Sequence, residues 1–459
     1  MTDQRIMTVN PLTEEVIDTY SYMSDDEAKA VVQASHDAFQ EWKLKSLDER
    51  AKVIAAIAAK LREKKEDFAQ LMTREVGKLI RDSRDEIELC AAICDYTAKE
   101  GPQVLADEER QAQGATAIVT YSPMGVIYGI QPWNFPAYQA VRYSISSLMA
   151  GNGVLLKHAE SCTGSGEFLR DLYEEAGLPK GLFGVLRVTH EQSDAIIENK
   201  LVRGVTMTGS DKGGRHIAAK AGEVVKKTVL ELGSNDAYIV LDDADLDLAV
   251  KTCVAGRMYN NGQTCVNAKR FVVTEKNYEA FVEAYAKQMG EIVMGDPNDD
   301  NTGLGPLVSR QQRDEIAKQV KQSVEKGARV LTGGEVPDRK GWFYPATVLV
   351  DVAPGQPAYD DELFGPVASI IKAKDDEDAM RIANDSRYGL GGGIFSKDVE
   401  KARKLAATHF DTGMVCINTF DVASPNMPFG GVKDSGYGRE HGPEGIKEFV
   451  NVKSIKIAK

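Results

Sequence analysis

Cys265 follows a Gly262-Gln263-Thr264 turn, with a helix-like run from Leu246 to Met258 before it and strand-like sequence from Phe271 to Thr274 behind it. A thiol on a loop fixed by two scaffold elements can act as a nucleophile once it loses its proton. On cysteine statistics alone such a residue is more often a small buried hydrophobe, so the nucleophile reading needs partners elsewhere in the chain. Asn134 is one candidate. It lies in Gln131-Pro132-Trp133-Asn134-Phe135-Pro136, directly after a strand end, where two prolines and Trp133 make a stiff, non-helical segment. An amide donor held that firmly could polarise a carbonyl oxygen; a turn asparagine bonding its own backbone is the alternative. Glu231 is the other. It sits in Val229-Leu230-Glu231-Leu232-Gly233, and a carboxyl at an apolar strand end has a raised pKa suited to taking a proton near neutrality. Exposure on the polar face of the strand would remove that property.

A nucleotide platform is readable nearby, although no strand is followed by a full GxGxxG. The run Met207-Thr208-Gly209-Ser210-Asp211-Lys212-Gly213-Gly214 turns from a strand into a helix, whose free amides and partial positive charge suit a phosphate. Gly and Ser also serve simply as turn and cap. Lys157 and Glu160 end another strand, where a ribose could sit. An acidic side chain there accepts from a ribose 2′-OH and repels a 2′-phosphate, which points to NAD in preference to NADP, with NADP still possible; an ordinary loop ion pair is the plain reading.

These residues need a scaffold. From 126 to 231 strand-like runs (126–130, 153–157, 183–188, 204–207 and 227–231) alternate with helix-like ones (137–150, 163–176, 191–199 and 211–221). Short strands separated by helices of about ten or more residues imply βαβ units, a parallel sheet and an α/β fold. Such sheets bind ligands at the carboxyl ends of their strands. A second α/β series runs from 237 to about 428, with helices near 245–258, 277–290, 309–327 and 375–385 and strands near 346–350 and 367–371. Before both series, residues 24–100 read as helical, with capping boxes at Ser24/Glu27 and Ser46/Glu49 and a stop near Glu100 where Gly101 takes the left-handed position. Two extended segments between 113 and 130 and an alternating stretch from Phe449 to Ile457 stand apart, as an arm would.

Composition narrows the function classes. With 459 residues, two or three domains are expected. A net charge of −13 and no basic stripe argue against a nucleic-acid partner. No apolar run reaches the ~18 residues of a membrane span, and the N-terminus has no signal-like segment. The six cysteines are scattered, with no CxxC and no metal-ligand spacing, so the expectation is no metal, no disulfide scaffold and a reducing cytoplasm. Cys90 and Cys94, four apart, belong on a buried helix face.

Taken together these stretches resemble the aldehyde dehydrogenase superfamily over nearly the whole chain. The matching motifs are Pro132-Trp133-Asn134-Phe135-Pro136, Thr208-Gly209-Ser210, Leu230-Glu231-Leu232-Gly233, Gly262-Gln263-Thr264-Cys265, Glu362-Leu363-Phe364-Gly365-Pro366 and Pro428-Phe429-Gly430-Gly431-Val432-Lys433. Lys157-His158-Ala159, the short N-terminus and the length are similar to the compact bacterial succinate-semialdehyde dehydrogenase group. The resemblance implies that Cys265 attacks the aldehyde, that Asn134 and the Cys265 amide hold the oxyanion, and that Glu231 activates the hydrolytic water. It implies cofactor contacts at Trp133, Lys157, Glu160, Gly209, Ser210, Gly214, Leu232, Gly233, Glu362 and Phe364. Residue chemistry alone does not single out Glu362 or Phe364.

For the substrate, Arg142 matches an arginine that pairs with the distal carboxylate of succinate semialdehyde, and Ser424 matches a second polar contact. Tyr259 occupies the place where some of these enzymes carry a second arginine, with Arg257 nearby. Val266 and Asn267 follow the nucleophile, so no neighbouring cysteine is present for a disulfide switch. Ser234 stands where a second glycine is usual and either crowds the nicotinamide or restricts Glu231. The family implies a Rossmann-type dinucleotide-binding domain (1–112 and 130–232), a catalytic domain (233–428) and an oligomerisation arm with C-terminal segment (113–129 and 429–459), hence a homodimer or homotetramer. Three chemistries compete with this one: a general aliphatic aldehyde dehydrogenase, a CoA-acylating enzyme, which a glutamate base disfavours, and a cysteine hydrolase or binding protein, which has no His motif near Cys265.

Overall fold

The computed structural model describes residues 5–458. Two large sheets carry the molecule. In the six-stranded sheet the order is Gly436–Tyr437, Lys227–Glu231, Val202–Thr208, Val126–Gln131, Gly153–His158, Phe183–Val185. All neighbours are parallel except Gly436–Tyr437, which runs antiparallel to Lys227–Glu231. The chain builds outward from Val126–Gln131 in one direction, then crosses back to lay Val202–Thr208 on its other side. That reversal opens a crevice beyond the carboxyl ends of Val126–Gln131 and Val202–Thr208, and it is where an open α/β sheet takes a ligand. Pro132-Trp133-Asn134 and Gly209-Ser210 leave the sheet at those two ends.

The seven-stranded sheet has the order Arg329–Thr332, Thr347–Val350, Val367–Ala373, Arg270–Thr274, Ala237–Val240, Gly392–Phe395, Cys416–Ile417, with only Arg329–Thr332 antiparallel. Here the chemistry-bearing residues lie at the amino ends: Ser234 to Asp236 before Ala237–Val240, Cys265 to Lys269 before Arg270–Thr274, and Glu362 to Pro366 before Val367–Ala373. The two sheets therefore present opposite edges to one site.

Helices flank the sheets because their apolar residues recur at helical spacing. The helix Leu47–Glu63 buries Ile54, Ile57, Ala58 and Leu61 against Ile80–Val104 and Tyr138–Met149. Each isoleucine or leucine side chain so removed from water contributes about 1.5–3 kcal/mol. Ser24 and Ser46 form the two capping boxes the sequence predicts, and Thr189 with Gln192 forms a third at the head of His190–Glu198. Cys90 and Cys94 are fully buried on Ile80–Val104.

Three expectations need correction. The long helix does not stop at Glu100; it continues to Val104 through Gly101 and Pro102. Gly101 is needed for space instead, since a Cβ there would lie 2.6 Å from Met149 Cγ. The arm is a separate three-stranded sheet ordered Val450–Ala458, Ala115–Pro123, Glu108–Ala112, so it takes in residues from 108 onward. Val126–Gln131 and Gly436–Tyr437, placed partly or wholly outside the dinucleotide-binding segment by the sequence reading, are strands of the six-stranded sheet. The helix Val399–Thr408 and the strand Gly392–Phe395 have no counterpart in the sequence reading.

Candidate active site

The loop that carries Cys265 is set by three successive left-handed residues, Asn260 (φ 54°), Asn261 (φ 55°) and Gly262 (φ 74°). Asparagine is among the few residues that accept this conformation. Gly262 has a second constraint, because a Cβ would lie 2.4 Å from the Gly365 carbonyl. The turn is pinned from inside. Asn261 Nδ2 donates to the carbonyls of Gly77 (2.9 Å) and Pro306 (3.1 Å), while its Oδ1 accepts from the Gly305 amide (2.8 Å). Buried Arg257 donates to the carbonyls of Gly262, Gly365 and Ala268. Arg257 is therefore committed to backbone and does not stand in for a substrate arginine.

Asn134 is buried against the same loop. Its Nδ2 donates to the Gln263 carbonyl (3.2 Å), and Asn260 Nδ2 donates to both that carbonyl (3.1 Å) and the Asn134 carbonyl (2.8 Å). Trp133 meets Phe364 edge to face with ring centroids 5.6 Å apart. Cys265 and Asn134 line one cavity of about 260 Å³ with Trp133, Thr208, Gly209, Ser210, Leu232, Gly233, Gln312, Glu362 and Phe364. The structure thus brings eight of the ten sequence-assigned cofactor residues and two of the three catalytic ones to that cavity or its rim, counting Gly214, where a Cβ would lie 2.4 Å from the Leu232 side chain. Lys157 and Glu160 lie further out, at the end of Gly153–His158, where Tyr22 Oη donates to Glu160 Oε1. Gln312, whose Nε2 donates to the Phe364 carbonyl (3.0 Å), escapes sequence reasoning because a helix-face glutamine carries no local signal.

The cavity fits a dinucleotide. Ser210 caps the helix Asp211–Glu223, accepting from the Gly213 amide (3.2 Å), and it lines the cavity with Gly209, so the start of that helix meets the crevice where a phosphate is favoured. A Cβ on Gly209 or Gly233 would meet Met207 Cε at 2.9 Å or Glu362 Oε2 at 2.8 Å, so both approaches are kept bare. Among the described residues no group of three or more His, Cys, Asp and Glu could hold a metal ion.

Glu231 ends the strand Lys227–Glu231, only 2% exposed, and neither carboxylate oxygen has a hydrogen-bond partner among the described residues. Burial pushes its carboxyl well above the ordinary range; Arg142 pulls it down and Glu440 pushes it further up. Burial likewise pushes the Cys265 thiol up to about 12, with Arg142 and Lys269 drawing it down and Glu362 and Glu231 raising it.

The substrate residues fall differently from expectation. Arg142 is fully buried and pairs with Glu440; it also donates to Thr208 Oγ1 (2.9 Å) and lies 4.6 Å from the Phe429 ring centroid. Its guanidinium already holds a carboxylate of this chain, so it is not the open fork that the sequence suggests. Tyr259 stacks on Phe135 (6.1 Å between centroids) and contributes apolar surface. Ser424 lines a second cavity of about 270 Å³ with Val266, Val422 and Phe429, and its Oγ donates to Asp421 Oδ2 (2.7 Å). Cys265 thus faces the first cavity while the next residue, Val266, walls the second.

A switch-point crevice facing a half-buried cysteine and an amide donor defines a thiol-dependent enzyme of dinucleotide chemistry. The model of the aldehyde dehydrogenase family matches residues 1–455. A relative from Deinococcus radiodurans named succinate-semialdehyde dehydrogenase, with NADP(+) specified, is 41% identical over 98% of this chain and 94% of its own. One from Escherichia coli with the same activity and NAD(P)+ in its name is 40% identical over 98% and 97%. The crystal structure of a succinic semialdehyde dehydrogenase from Streptococcus pyogenes with NADP+ superposes with a TM-score of 0.97 at 39% identity, covering 99% of this chain and 100% of that one. The chain belongs to the aldehyde dehydrogenase family.

Proposed function

We propose that this chain oxidises succinate semialdehyde to succinate with NAD(P), through a covalent adduct on Cys265. The observation that carries the chemistry is the single cavity shared by Cys265, Asn134, Ser210, Glu362 and Phe364. Trp133, Gly209, Ser210, Leu232, Gly233, Glu362 and Phe364 would hold the inner part of the cofactor, with Lys157 and Glu160 at its adenosine end. When bound, the nicotinamide supplies a hydride acceptor.

The chain's own residues do the rest. Cys265 gives up its proton to solvent, and its sulfur forms a bond to the aldehyde carbon as the carbonyl electron pair moves to oxygen. The second N–H of Asn134, left free by its bond to the Gln263 carbonyl, and the Cys265 amide hold that oxygen. Once the carbon on Cys265 has reached the acyl level, Glu231 takes a proton from water, the hydroxyl adds to the acyl carbon, and the S–C bond breaks as that proton passes to the leaving sulfur, restoring the thiol and the carboxylate.

For the substrate, the names of the relatives and the cation of Arg142 behind Phe429 support a semialdehyde with a distal carboxylate. In this reading Arg142 exchanges Glu440 for the substrate. A second reading, a short aliphatic aldehyde, is favoured by the same Arg142–Glu440 pair, by Tyr259 in place of an arginine, and by Asp236 and Asp421 on the second cavity's wall. We also infer NAD over NADP from Glu160, against the NADP(+) in relatives' names, and a homo-oligomer built on the arm sheet, located in the cytoplasm. No helix among the described residues is long and apolar enough to cross a membrane.

The deciding experiment is kcat/KM for succinate semialdehyde and propanal with both nicotinamide cofactors. Preference for succinate semialdehyde supports the first reading. Equal use of propanal selects the second, and oxidation of neither sinks both. An NADP efficiency at or above that for NAD removes the Glu160 argument.

A further inference from the structure

Lys269 takes no part in the steps above, yet it has the densest polar surroundings near the nucleophile. Its side chain is 2% exposed at the amino end of Arg270–Thr274. The ammonium donates to Ser234 Oγ (2.8 Å), the Thr264 carbonyl (3.1 Å) and the Cys265 carbonyl, and it lies 3.3 Å from Glu362 Oε1. Ser234 works beside the same two partners: its hydroxyl donates to the Cys265 carbonyl, and its backbone amide helps to draw the Glu362 carboxyl's pKa down. Both lone pairs of the Cys265 carbonyl are therefore taken, which fixes the peptide plane beside the thiol. Four oxygens compete for three ammonium protons, so a change at Glu362 redistributes the bonds to the nucleophile's own carbonyl.

We propose that Lys269 and Ser234 form a clamp that holds the Cys265 peptide and the Glu362 carboxylate as one unit, so that seating of the cofactor's ribose on Glu362 is felt at the thiol. The proposal rests on the reading that this cavity takes NAD(P). Lys269 and Ser234 are positioning residues in it: neither needs to touch aldehyde or nicotinamide. Ser234 supplies the hydroxyl that a glycine at this place would lack, so the clamp belongs to this chain's own sequence. The charged groups that act on the thiol are Arg142 and Lys269, which draw its pKa down, and Glu362 and Glu231, which raise it; the Tyr138 phenol also interacts with it. Removing the Lys269 charge therefore has a definite sign, toward a less acidic thiol.

The test is the rate of Cys265 alkylation by iodoacetamide against pH, read by peptide mapping on the full-length protein with and without NAD or NADP. It is run on wild type, K269Q, K269R, S234A and S234G, alongside the KM for each cofactor and aldehyde. We expect K269Q to move the alkylation midpoint upward, to abolish the cofactor's effect on the rate, and to raise the cofactor KM about tenfold with the aldehyde KM little changed, as loss of a charge-assisted contact implies. K269R should recover part of the cofactor KM. S234A and S234G should keep the midpoint within a few tenths of a pH unit but weaken the cofactor's effect on alkylation. If K269Q alkylates with the wild-type midpoint and the wild-type cofactor response, the clamp is wrong. If K269Q does not fold, an undiminished cofactor effect in both S234A and S234G overturns it. A wild-type protein that shows no response to either cofactor fails the NAD(P) reading itself, a result separate from the midpoint shift of K269Q.

Discussion

Burial sets the chemistry of single residues here. Burial pushes the Cys265 thiol up to about 12, so it becomes competent as pH rises, and burial pushes the Glu231 carboxyl above its ordinary range. Their roles predict distinct signatures. Glu231→Gln removes the group that takes a proton from water while leaving Cys265 and Asn134 in place. Stopped-flow mixing with aldehyde and cofactor should show a burst of about one reduced nicotinamide per site followed by steady turnover slowed about 10²–10⁴-fold, the usual worth of general base catalysis. Loss of the burst together with turnover would assign Glu231 to the first half of the reaction. Asn134→Ala removes an oxyanion donor and should lower kcat about 10²–10³-fold with KM nearly unchanged, measured by steady-state kinetics. A pure KM effect would place Asn134 in binding alone.

At the scale of elements, the nucleophile loop is the part with no slack. Gly262→Ala places a methyl group 2.4 Å from the Gly365 carbonyl at a φ of 74°, so backbone must shift. We expect a stability loss of about 2 kcal/mol or more by denaturant unfolding, with activity falling further because Cys265 moves with the loop. A variant with wild-type stability and rate would show that the loop adapts. This loop also marks the boundary of what sequence could tell. Gly-Gln-Thr-Cys, the strand-end Glu231 and the stiff Trp133-Asn134 segment are legible because each is local: a turn, an apolar run, a pair of prolines. The alternating strands and helices from 126 to 231 are legible for the same reason. Lys269, Gln312 and the Arg142–Glu440 pair are not, since their partners lie on other elements and only the folded sheets bring them together. Gly101 misled because a glycine kept bare for Met149 and a glycine that ends a helix have the same sequence signature. The capping boxes succeeded because both partners lie within three residues.

Over the whole molecule, pH and assembly carry the remaining predictions. His441 is buried, with its Nε2 at 2.8 Å from Tyr138 Oη, and burial lowers its pKa to about 3. The unfolded chain takes a proton on this histidine below its ordinary pKa of about 6.5 while the folded one does not, so His441 costs stability as pH falls through that window. Glu75 and Asp82, raised by burial to about 7 and about 6, act in the opposite sense, so a difference measurement is required. His441→Asn replaces the imidazole with a group that does not titrate and leaves the strained backbone of this position (φ 62°, ψ 167°) occupied by a non-glycine residue as before. The stability difference between variant and wild type should be flat above pH 6.5 and then move in the variant's favour by about 1.4 kcal/mol per pH unit. A flat difference down to pH 4 would mean that His441 takes up its proton in the folded state. The arm raises a question of assembly. Val450–Ala458 pairs along its length with Ala115–Pro123, and among the described residues no strand pairs with its other edge. Val452, Ile455 and Ile457 are 61%, 40% and 52% exposed there. An open edge with apolar side chains is a template for pairing with another chain, and the proposed oligomer would cover it with a second copy. Ile455 and Ile457 share one face, so Ile455→Lys with Ile457→Lys charges that face and leaves the two large sheets untouched. Light scattering should report an oligomer for wild type and a shift toward monomer for the double variant, with a lower thermal midpoint. A monomeric wild type, or a double variant of unchanged mass, would take the arm out of the interface.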